Sequence, residues 1–493
     1  MKSHFQNALI KGTLILTLSG LITRFMGFFY KIYLSRLLSA DQLGIYQLIF
    51  PVYAICFTLF GSGIQTAISQ LVAKYRSDKT KQQHILLTGL FLSLCVASLL
   101  SILVFFWCEP VSAYLLMEKR TKHPLKVLSF AFLFCSISSC LNGYYYGNKQ
   151  TSLPASTTLV EQTARILFVF LLPQKLSAFH AVWGIVFGEG LSALYSLFYF
   201  LHFTKQIKTT GFAVERIFFS LQSHIRPVLK LSLPLSANRF VVSLLNSIEA
   251  VLIPFLLKDF GLNSKEALSV YGIFTGMAMP FILFPSALPS SLSVLLLPTV
   301  SEASARKEES HIRTLSEKTL HFCLLIGIFS TSLFFFYGFD FGQLFFHNDS
   351  AGMFLRTLSF LCPFMYLSIT VSSIINGLGF NHITFFHTCI GLTLRIVLIM
   401  FLIPSNGIYG YLISLLVSHL TICFLNYHFL KRKMQFSVST KKSILYPTLF
   451  SLLIGSASRV MLLSIHNLYI SLGLFLVGTL AVCGSLLSDS IWN

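Results

Sequence analysis

The chain has 493 residues, of which 55% are hydrophobic and 11% are charged, and its formal net charge at pH 7 is +19. This composition is too apolar for a water-soluble domain of this length. The basic excess invites a nucleic-acid interpretation, but the basic residues collect in alternate loops between apolar runs, as in membrane proteins. We therefore expect a membrane protein whose surroundings are the lipid bilayer, with no nucleic-acid partner.

Apolar runs of about twenty residues recur along the whole chain, each long enough to cross a hydrocarbon core of roughly 30 Å. They predict an all-α polytopic protein of about fourteen transmembrane helices, arranged as two six-helix lobes and two additional helices. The spans of the first lobe are predicted at 10–34, 44–72, 84–107, 124–147, 153–172 and 179–203. Those of the second lobe and the last pair are predicted at 228–257, 268–298, 319–338, 355–379, 383–403, 408–430, 443–465 and 468–487. The expected parts are 1–215, 216–432 and 433–493. The first span lacks a small-residue cleavage site, so we expect no cleavable signal peptide.

The basic loops set the expected orientation. Three basic groups lie at 74–81, 205–230 and 431–442, and the intervening loops are close to neutral or acidic. Because cytoplasmic loops carry the excess of Lys and Arg, this alternation places both termini on the cytoplasmic side. One loop is an exception, because the same topology places it outside although it contains Lys119, Arg120, Lys122 and Lys126.

Two stretches more than two hundred residues apart carry nearly the same motif. The first reads SSCLNG at 138–143 and continues to Arg165, and the second reads SSIING at 372–377 and continues to Arg395. Further along, His202 near the end of one span matches His428 near the end of another. An even number of spans in each half makes the repeats parallel. Duplicated halves are a common plan of transporters, with the binding site expected between them.

Proline and glycine interrupt three of the predicted spans. They are Pro51 and GSG at 61–63 in span two, Pro234 and Pro254 in span seven, and Pro280, Pro285, Pro289 and Pro298 in span eight. Proline removes a backbone hydrogen bond and kinks a helix. Two interpretations remain: helices that bend to open and close a cavity, or the ordinary abundance of these residues in membrane helices.

Five arginines fall inside predicted spans, where a charge costs at least a few kcal/mol and normally faces a partner or a wet cavity. Arg24, Arg165, Arg239 and Arg395 lie at similar depths, about 17–21 Å along their helices from the cytoplasmic end. They are candidate substrate-binding residues. Arg459 lies nearer the outer end, where its side chain can snorkel to the interface.

Acidic residues offer a competing explanation for some of these arginines. Glu161 and Arg165 are four residues apart on one helical face and can neutralise each other. Glu249 lies ten residues after Arg239, about 15 Å along the same helix. Glu161 and Glu249 are also candidate ion-coupling sites. Arg24 and Arg395 have no acidic residue within reach on their own helices, which leaves cavity lining or pairing between helices.

Four guanidinium groups at one depth indicate an anionic substrate, because guanidinium binds phosphate bidentately and remains charged at any relevant pH. Nearby polar side chains, Asn238 and Asn246 among them, would add neutral hydrogen bonds. This combination suits a headgroup that carries both phosphate and sugar.

Several chemistries lack their sequence signature. The chain has no GxxxxGK[ST] loop for ATP hydrolysis and no HExxH motif. It has no Asp-rich cluster, and its ten cysteines show no CxxC spacing. We therefore expect no enzymatic activity, no catalytic residue, no metal and no cofactor.

A set of colinear blocks resembles the stage V sporulation protein B branch of the multidrug/oligosaccharidyl-lipid/polysaccharide (MOP) exporter superfamily. The blocks are KGTLIL at 11–16, TR at 23–24, GF at 27–28, GIY at 44–46, ISQLVA at 68–73, EQ at 161–162, RI at 165–166, RF at 239–240, YG at 271–272, TGMAM at 275–279 and PTVSE at 298–302. The resemblance covers most of the first twelve spans. It implies a fourteen-helix, two-lobed, MATE-like fold.

The same resemblance implies export of undecaprenyl-linked sugar intermediates, as in the related MurJ-type lipid II flippases of peptidoglycan synthesis. Arg24 matches a first-helix arginine that those flippases need in their cavity, whereas Tyr30 beside Lys31 replaces a second one. Their basic residues of helices two and eight have no equivalents within 56–71 and 274–297. Because of these departures, the resemblance defines the transport class but not the exact substrate. The last two spans would line a lipid-filled groove.

The resulting hypothesis is an alternating-access flippase for lipid II or a related precursor of peptidoglycan or another polysaccharide. It would act in the cytoplasmic membrane of a Gram-positive bacterium, with spore formers as the narrower case, and cell-wall synthesis enzymes are its candidate partners. Two alternatives belong to other classes. One is a MATE-type cation-coupled drug exporter, which would favour carboxylates in its cavity. The other is a non-transporting scaffold for spore or cell-wall assembly.

Overall fold

A computed structural model describes the backbone of residues 2–172, 176–203, 214–435 and 439–492. Side chains are described for 15–172, 176–202, 224–435 and 439–486. Within these residues the secondary structure is helical and contains no strand, which confirms the predicted all-α class. Pro173 and the basic residues Lys205 and Lys208 lie outside the described residues.

Fourteen helical segments, one for each predicted span, follow one another through the described chain, and a further helix at Ala287–Ala305 covers the end of the eighth predicted span. The first six are α1 (Lys2–Leu37), α2 (Ala40–Lys74), α3 (Lys79–Phe106), α4 (Lys119–Gly147), α5 (Ser152–Phe170) and α6 (Ala178–Phe203). The next six are α7 (Val214–Asp259), α8 (Ser264–Leu283), α9 (Glu309–Phe346), α10 (Asp349–Gly377), α11 (Asn381–Asn406) and α12 (Ile408–Met434). The last two are α13 (Lys441–Ile465) and α14 (Leu468–Trp492).

Thirteen of these segments are long and apolar enough to cross a membrane, counted over the described residues. The exception is α5, in which Glu161, Gln162 and Arg165 lower the mean hydropathy. Since α5 lies in sequence between membrane-length helices, the total agrees with the fourteen spans predicted. The chain is therefore a multi-pass membrane protein.

The chain forms two compact units, one of residues 1–258 with 262–272 and one of residues 259–261 with 273–493. The division into 1–215, 216–432 and 433–493 follows the duplicated sequence and stays a prediction. One predicted boundary needs correction. The span predicted at 228–257 begins earlier, because α7 starts at Val214, within the basic group at 205–230.

The duplicated Asn-Gly motif has a packing role in each unit. In the first unit a Cβ on Gly143 would lie 2.6 Å from the carbonyl oxygen of Gln65, so only glycine lets α4 approach α2 this closely. In the second unit a Cβ on Gly377 would lie 3.0 Å from the carbonyl oxygen of Leu297, which belongs to the helix Ala287–Ala305 that follows α8. The motif therefore marks equivalent helix crossings.

The interrupted spans contain irregular helix at the predicted places. In α2 the segment Thr58–Ser62, which contains Gly61 and directly precedes Gly63, is a π-helix. In α8 the segment Ile273–Ala278 is a π-helix, and the helical run ends at Leu283 before a new helix begins at Ala287. In contrast α7 is assigned as continuous helix through Pro234 and Pro254. Wider hydrogen-bonded turns leave carbonyl groups available to other donors.

The basic loop that broke the charge pattern is partly neutralised. Arg120 donates to Glu118 at 2.9 Å and to Asp41 at 3.2 Å, and Lys122 pairs with Glu109 at 2.6 Å. The fourth cation, Lys126, lies 4.4 Å from the centroid of the Phe105 ring. Because two of its four cations pair with carboxylates, this loop carries less uncompensated positive charge than its residue count indicates.

Candidate functional site

The four mid-span arginines lie in four different environments, so each is described in its own unit. Arg24 on α1 is exposed, and among the described residues it has neither a hydrogen-bond acceptor nor an ion-pair partner. Around it α1 offers open space, since a Cβ on Gly20 or Gly27 would meet nothing within 4 Å. An exposed, unpaired guanidinium in a membrane span is the feature expected of a residue that awaits an anion.

Arg239 on α7 is also exposed but is held by neutral groups of α2. Its Nη1 donates to the carbonyl oxygen of Ser62 at 2.7 Å, and its Nη2 donates to Oγ1 of Thr66 at 3.3 Å. Ser62 ends the π-helical segment of α2, where the altered helical pairing leaves its carbonyl able to accept this bond. The bonds orient the guanidinium without neutralising its charge.

The two asparagines predicted to assist lie on the same helix. Asn238 and Asn246 of α7 are both exposed, and Nδ2 of Asn246 donates to the carbonyl oxygen of Val242 at 3.0 Å. Arg239 and Asn246 are seven residues apart, which places them on one face of α7. This face therefore presents one cation and one amide.

Arg165 on α5 is neutralised within its own helix. Its Nη2 lies 2.5 Å from Oε1 of Glu161, which confirms the pairing indicated by their four-residue spacing. The Arg165 side chain is 15% exposed, and its buried Nε has no acceptor. Lys31 of α1 and the phenols of Tyr30 and Tyr46 also act on this guanidinium electrostatically.

Glu189 on α6 belongs to the same cluster and was missed by the sequence analysis. It is 6% exposed, and its Oε1 accepts a hydrogen bond from the Tyr53 hydroxyl at 2.9 Å. The rule that flagged intramembrane arginines applies equally to a carboxylate between Gly188 and Gly190 in an apolar span, so the signal was present. Its partner, 136 residues away, could not be inferred from local spacing.

Arg395 on α11, in the second unit, is buried, with 6% of its surface exposed. Its Nε donates to Oγ of Ser418 at 2.6 Å, and its Nη2 lies 3.3 Å from Nε2 of His419. Both partners belong to α12. Inside its own unit this arginine is thus tied to the neighbouring helix, unlike the exposed Arg24.

The sequence analysis also singled out two further charged residues, Glu249 and Arg459. Glu249 on α7 is buried at 6% exposure and acts electrostatically on the Tyr271 phenol. Arg459 on α13 forms an ion pair with Asp340 of α9. The snorkelling expected of Arg459 stays a prediction, and its guanidinium pairs with this carboxylate of a neighbouring helix.

A partly open apolar cavity of about 640 Å³ lies in the second unit. Its walls come from α9, α10, α12 and α13 and include Ile328, Phe335, Phe364, Leu420 and Leu452. Polar contributions come only from a few hydroxyl groups such as Thr331 and Ser451. A space with these walls accommodates hydrocarbon and offers little to a charged group.

The comparisons with known proteins agree with this architecture. The sequence profile of the polysaccharide biosynthesis protein family matches residues 9–304, more than half of the chain. The chain is 27% identical to stage V sporulation protein B of Bacillus subtilis, over 88% of this chain and 85% of that protein. It is 21% identical to the lipid II flippase MurJ of the same organism, over 92% of this chain and 88% of that protein.

A solved structure has the same fold. The inward closed conformation of lipid II flippase MurJ superposes with a TM-score of 0.75 at 14% identity, covering 97% of this chain and all of that chain. At this level of identity the likeness concerns the fold.

Proposed function

Because the chain belongs to the polysaccharide biosynthesis protein family, we propose that it is a flippase and not an enzyme. Its substrate is an undecaprenyl-pyrophosphate-linked oligosaccharide, lipid II or a related precursor. It moves this substrate across the bacterial cytoplasmic membrane by alternating access. Both termini lie in the cytoplasm, and cell-wall synthesis enzymes supply or receive the substrate.

The observation that carries the proposal is the pair of exposed arginines in the first unit. Arg24 has no described partner and Arg239 has only neutral ones, so both retain a full positive charge. Such a charge in a membrane span is costly unless it faces a partner or a wet cavity, and it usually marks a functional site. Pyrophosphate supplies several acceptor oxygens that match the guanidinium donors, and Asn238 and Asn246 offer neutral donors for sugar.

The apolar cavity of the second unit suits the other end of such a substrate. An isoprenoid chain is pure hydrocarbon and gains free energy wherever it contacts apolar side chains without leaving polar groups unpaired. The cavity bordered by α9 and α13 has such a lining. Within the second unit, this lining therefore matches the hydrocarbon tail of a lipid-linked sugar.

Flipping can be measured in proteoliposomes that contain a fluorescent lipid-linked oligosaccharide and a quencher that cannot cross the bilayer. The protein is expected to make the inner-leaflet probe accessible, and Arg24→Ala or Arg239→Ala to slow this about tenfold to a hundredfold, the equivalent of one lost charged hydrogen bond. Arg306→Ala is the matched control, because Arg306 is exposed, lies outside the membrane-length segments and pairs with Glu302. We expect it to match the wild type.

The outcomes separate the proposed function from the proposed site. A wild-type protein that moves no lipid-linked sugar overturns the function. Normal flipping by both Arg24→Ala and Arg239→Ala would retain the function and remove these arginines from the site. Vesicles loaded with a cationic dye test the drug-exporter alternative, which predicts dye transport.

A further inference from the structure

The buried carboxylate of Glu189 has no role in anion binding, yet it is held in a specific setting within the first unit. Four groups face it from the three helices packed against α6. They are the Tyr53 hydroxyl of α2, the Cys135 thiol of α4, and Glu161 and Arg165 of α5. Apart from Arg165, none of them can carry a positive charge.

Close packing of α5 and α6 brings the two carboxylates into one cluster. A Cβ on Gly188 would lie 2.8 Å from the carbonyl oxygen of Glu161 and 3.3 Å from Cβ of Arg165. A Cβ on Gly184 would lie 2.9 Å from a methyl group of Val169. Since Glu189 directly follows Gly188, the crossing places it beside the Glu161–Arg165 pair and keeps bulk water out.

The cluster contains two carboxylates but only one guanidinium group. Arg165 is engaged with Glu161 at 2.5 Å, so Glu189 is left with neutral donors. Lys31 acts on Arg165, but in the described chain it forms no ion pair with either carboxylate. A buried carboxylate beside a second one and without its own cation is costly, and taking up one cation removes that cost.

We propose that Glu189 binds and releases one proton during transport, and that Arg165 is the charged group that responds to it; this rests on the proposed flippase function. With the proton bound, the carboxyl remains on Tyr53 while Arg165 pairs with Glu161. When the proton leaves, the ionised Glu189 competes for Arg165, whose Nε has no acceptor. The proton thus changes how α5 is held against α6 and α2.

A proton fits this site better than a metal ion. Among the described residues no group of three or more His, Cys, Asp or Glu side chains is arranged to hold a metal. Hard cations such as sodium need several oxygen ligands, whereas the neutral groups here are one phenol and one thiol. A proton needs only the carboxyl oxygen and a neighbour to accept its hydrogen bond.

Infrared difference spectroscopy tests the proton site without relying on transport. The purified full-length protein should show the band of a protonated, buried carboxyl group that disappears as pH rises. Glu189→Gln should abolish this band, and Tyr53→Phe should move its midpoint to higher pH because the ionised form loses a donor. Glu302→Gln changes an exposed, ion-paired carboxylate and is the control. An unchanged band in Glu189→Gln overturns the proposal.

Transport under an imposed pH gradient tests the coupling. For one coupled proton, the ratio of flipped to unflipped lipid should change about tenfold per pH unit in the wild type. Glu189→Gln should still equilibrate the lipid but lose this dependence. If wild-type protein moves lipid and Glu189→Gln keeps the full dependence, the coupling proposal fails and the flippase stands. A ratio that follows a sodium gradient alone also overturns it, whereas absence of any flipping refutes the proposed function itself.

Discussion

Arg24 and Arg165 occupy similar depths in the predicted spans of the first unit, but their surroundings differ in every physical respect. Arg24 is exposed and has no partner among the described side chains, on a helix that offers open space around Gly20 and Gly27. Arg165 is shielded, ion-paired with Glu161 and enclosed where α5 and α6 meet at Gly184 and Gly188. We therefore expect Arg24 to receive an anion and Arg165 to balance the charge of the neighbouring carboxylates.

The largest expected difference between the two regions is in the free energy of unfolding when Arg165 or Arg24 is replaced by methionine. Arg165→Met leaves Glu161 and Glu189 partly or fully buried without their cation, and breaking such a pair costs about 3–5 kcal/mol. Arg24→Met removes an exposed side chain and should change the free energy of unfolding by less than about 0.5 kcal/mol. Thermal unfolding of both variants in detergent tests whether Arg165→Met is the less stable of the two.

The reverse pattern is expected for flipping. Arg24→Met should lose most of the activity while retaining its melting temperature. If Arg24→Met is the less stable variant, or if both melt together, the distinction between an open and an enclosed arginine is wrong.

Glycine replacements sharpen the comparison at the level of packing. Gly188→Ala places a methyl group against the Glu161 carbonyl oxygen, 2.8 Å away, and such overpacking costs about 1–3 kcal/mol. Gly27→Ala on α1 meets nothing within 4 Å and should be neutral or stabilising by up to about 1 kcal/mol, since alanine favours helix over glycine. The melting temperatures of the two variants check that Gly188→Ala destabilises the protein and that Gly27→Ala does not. A destabilised Gly27→Ala beside an unaffected Gly188→Ala would contradict the structure.

The part of this arrangement that follows from local sequence was predictable. Apolar runs located the thirteen helices of the described chain that are long and apolar enough to cross a membrane, and the four-residue spacing of Glu161 and Arg165 indicated their pair, because both depend on neighbours in sequence. The contacts of Arg239 with Ser62 and of Glu189 with Tyr53 join residues 177 and 136 positions apart. Such partners are set by helix crossings, and one sequence does not reveal which faces cross.

The pairing of Arg459 with Asp340 shows the same limit, since 119 residues separate them. Each residue alone was visible as a charge near a span, but depth along a helix does not define its direction around the helix axis. The sequence therefore showed the charge of Arg459 but not the carboxylate on a neighbouring helix that pairs with it. The roles of Arg24, Arg239, Arg395, Asn238 and Asn246 in binding remain predictions for the transport assay.

A third arginine, Arg120, gives the smallest expected effect, because it pairs with carboxylates at the end of the helices and not within them. Burial acts to raise the pKa of Glu118, but hydrogen bonds from Arg120 and Ser264 outweigh it, so the pKa of this carboxyl lies below its ordinary value. A carboxyl with a lowered pKa in the folded state stabilises the fold above its unfolded pKa of about 4.3 and loses that contribution as pH falls through the folded value.

Glu118→Gln should therefore lower the melting temperature at pH 7 by the equivalent of less than about 1 kcal/mol, and the difference from the wild type should vanish in acid. Glu302→Gln, whose carboxylate pairs with Arg306 at an exposed site, should show a smaller difference at pH 7. A difference for Glu118→Gln that persists undiminished at low pH would mean that the Glu118 side chain stabilises this loop through packing and not through its charge.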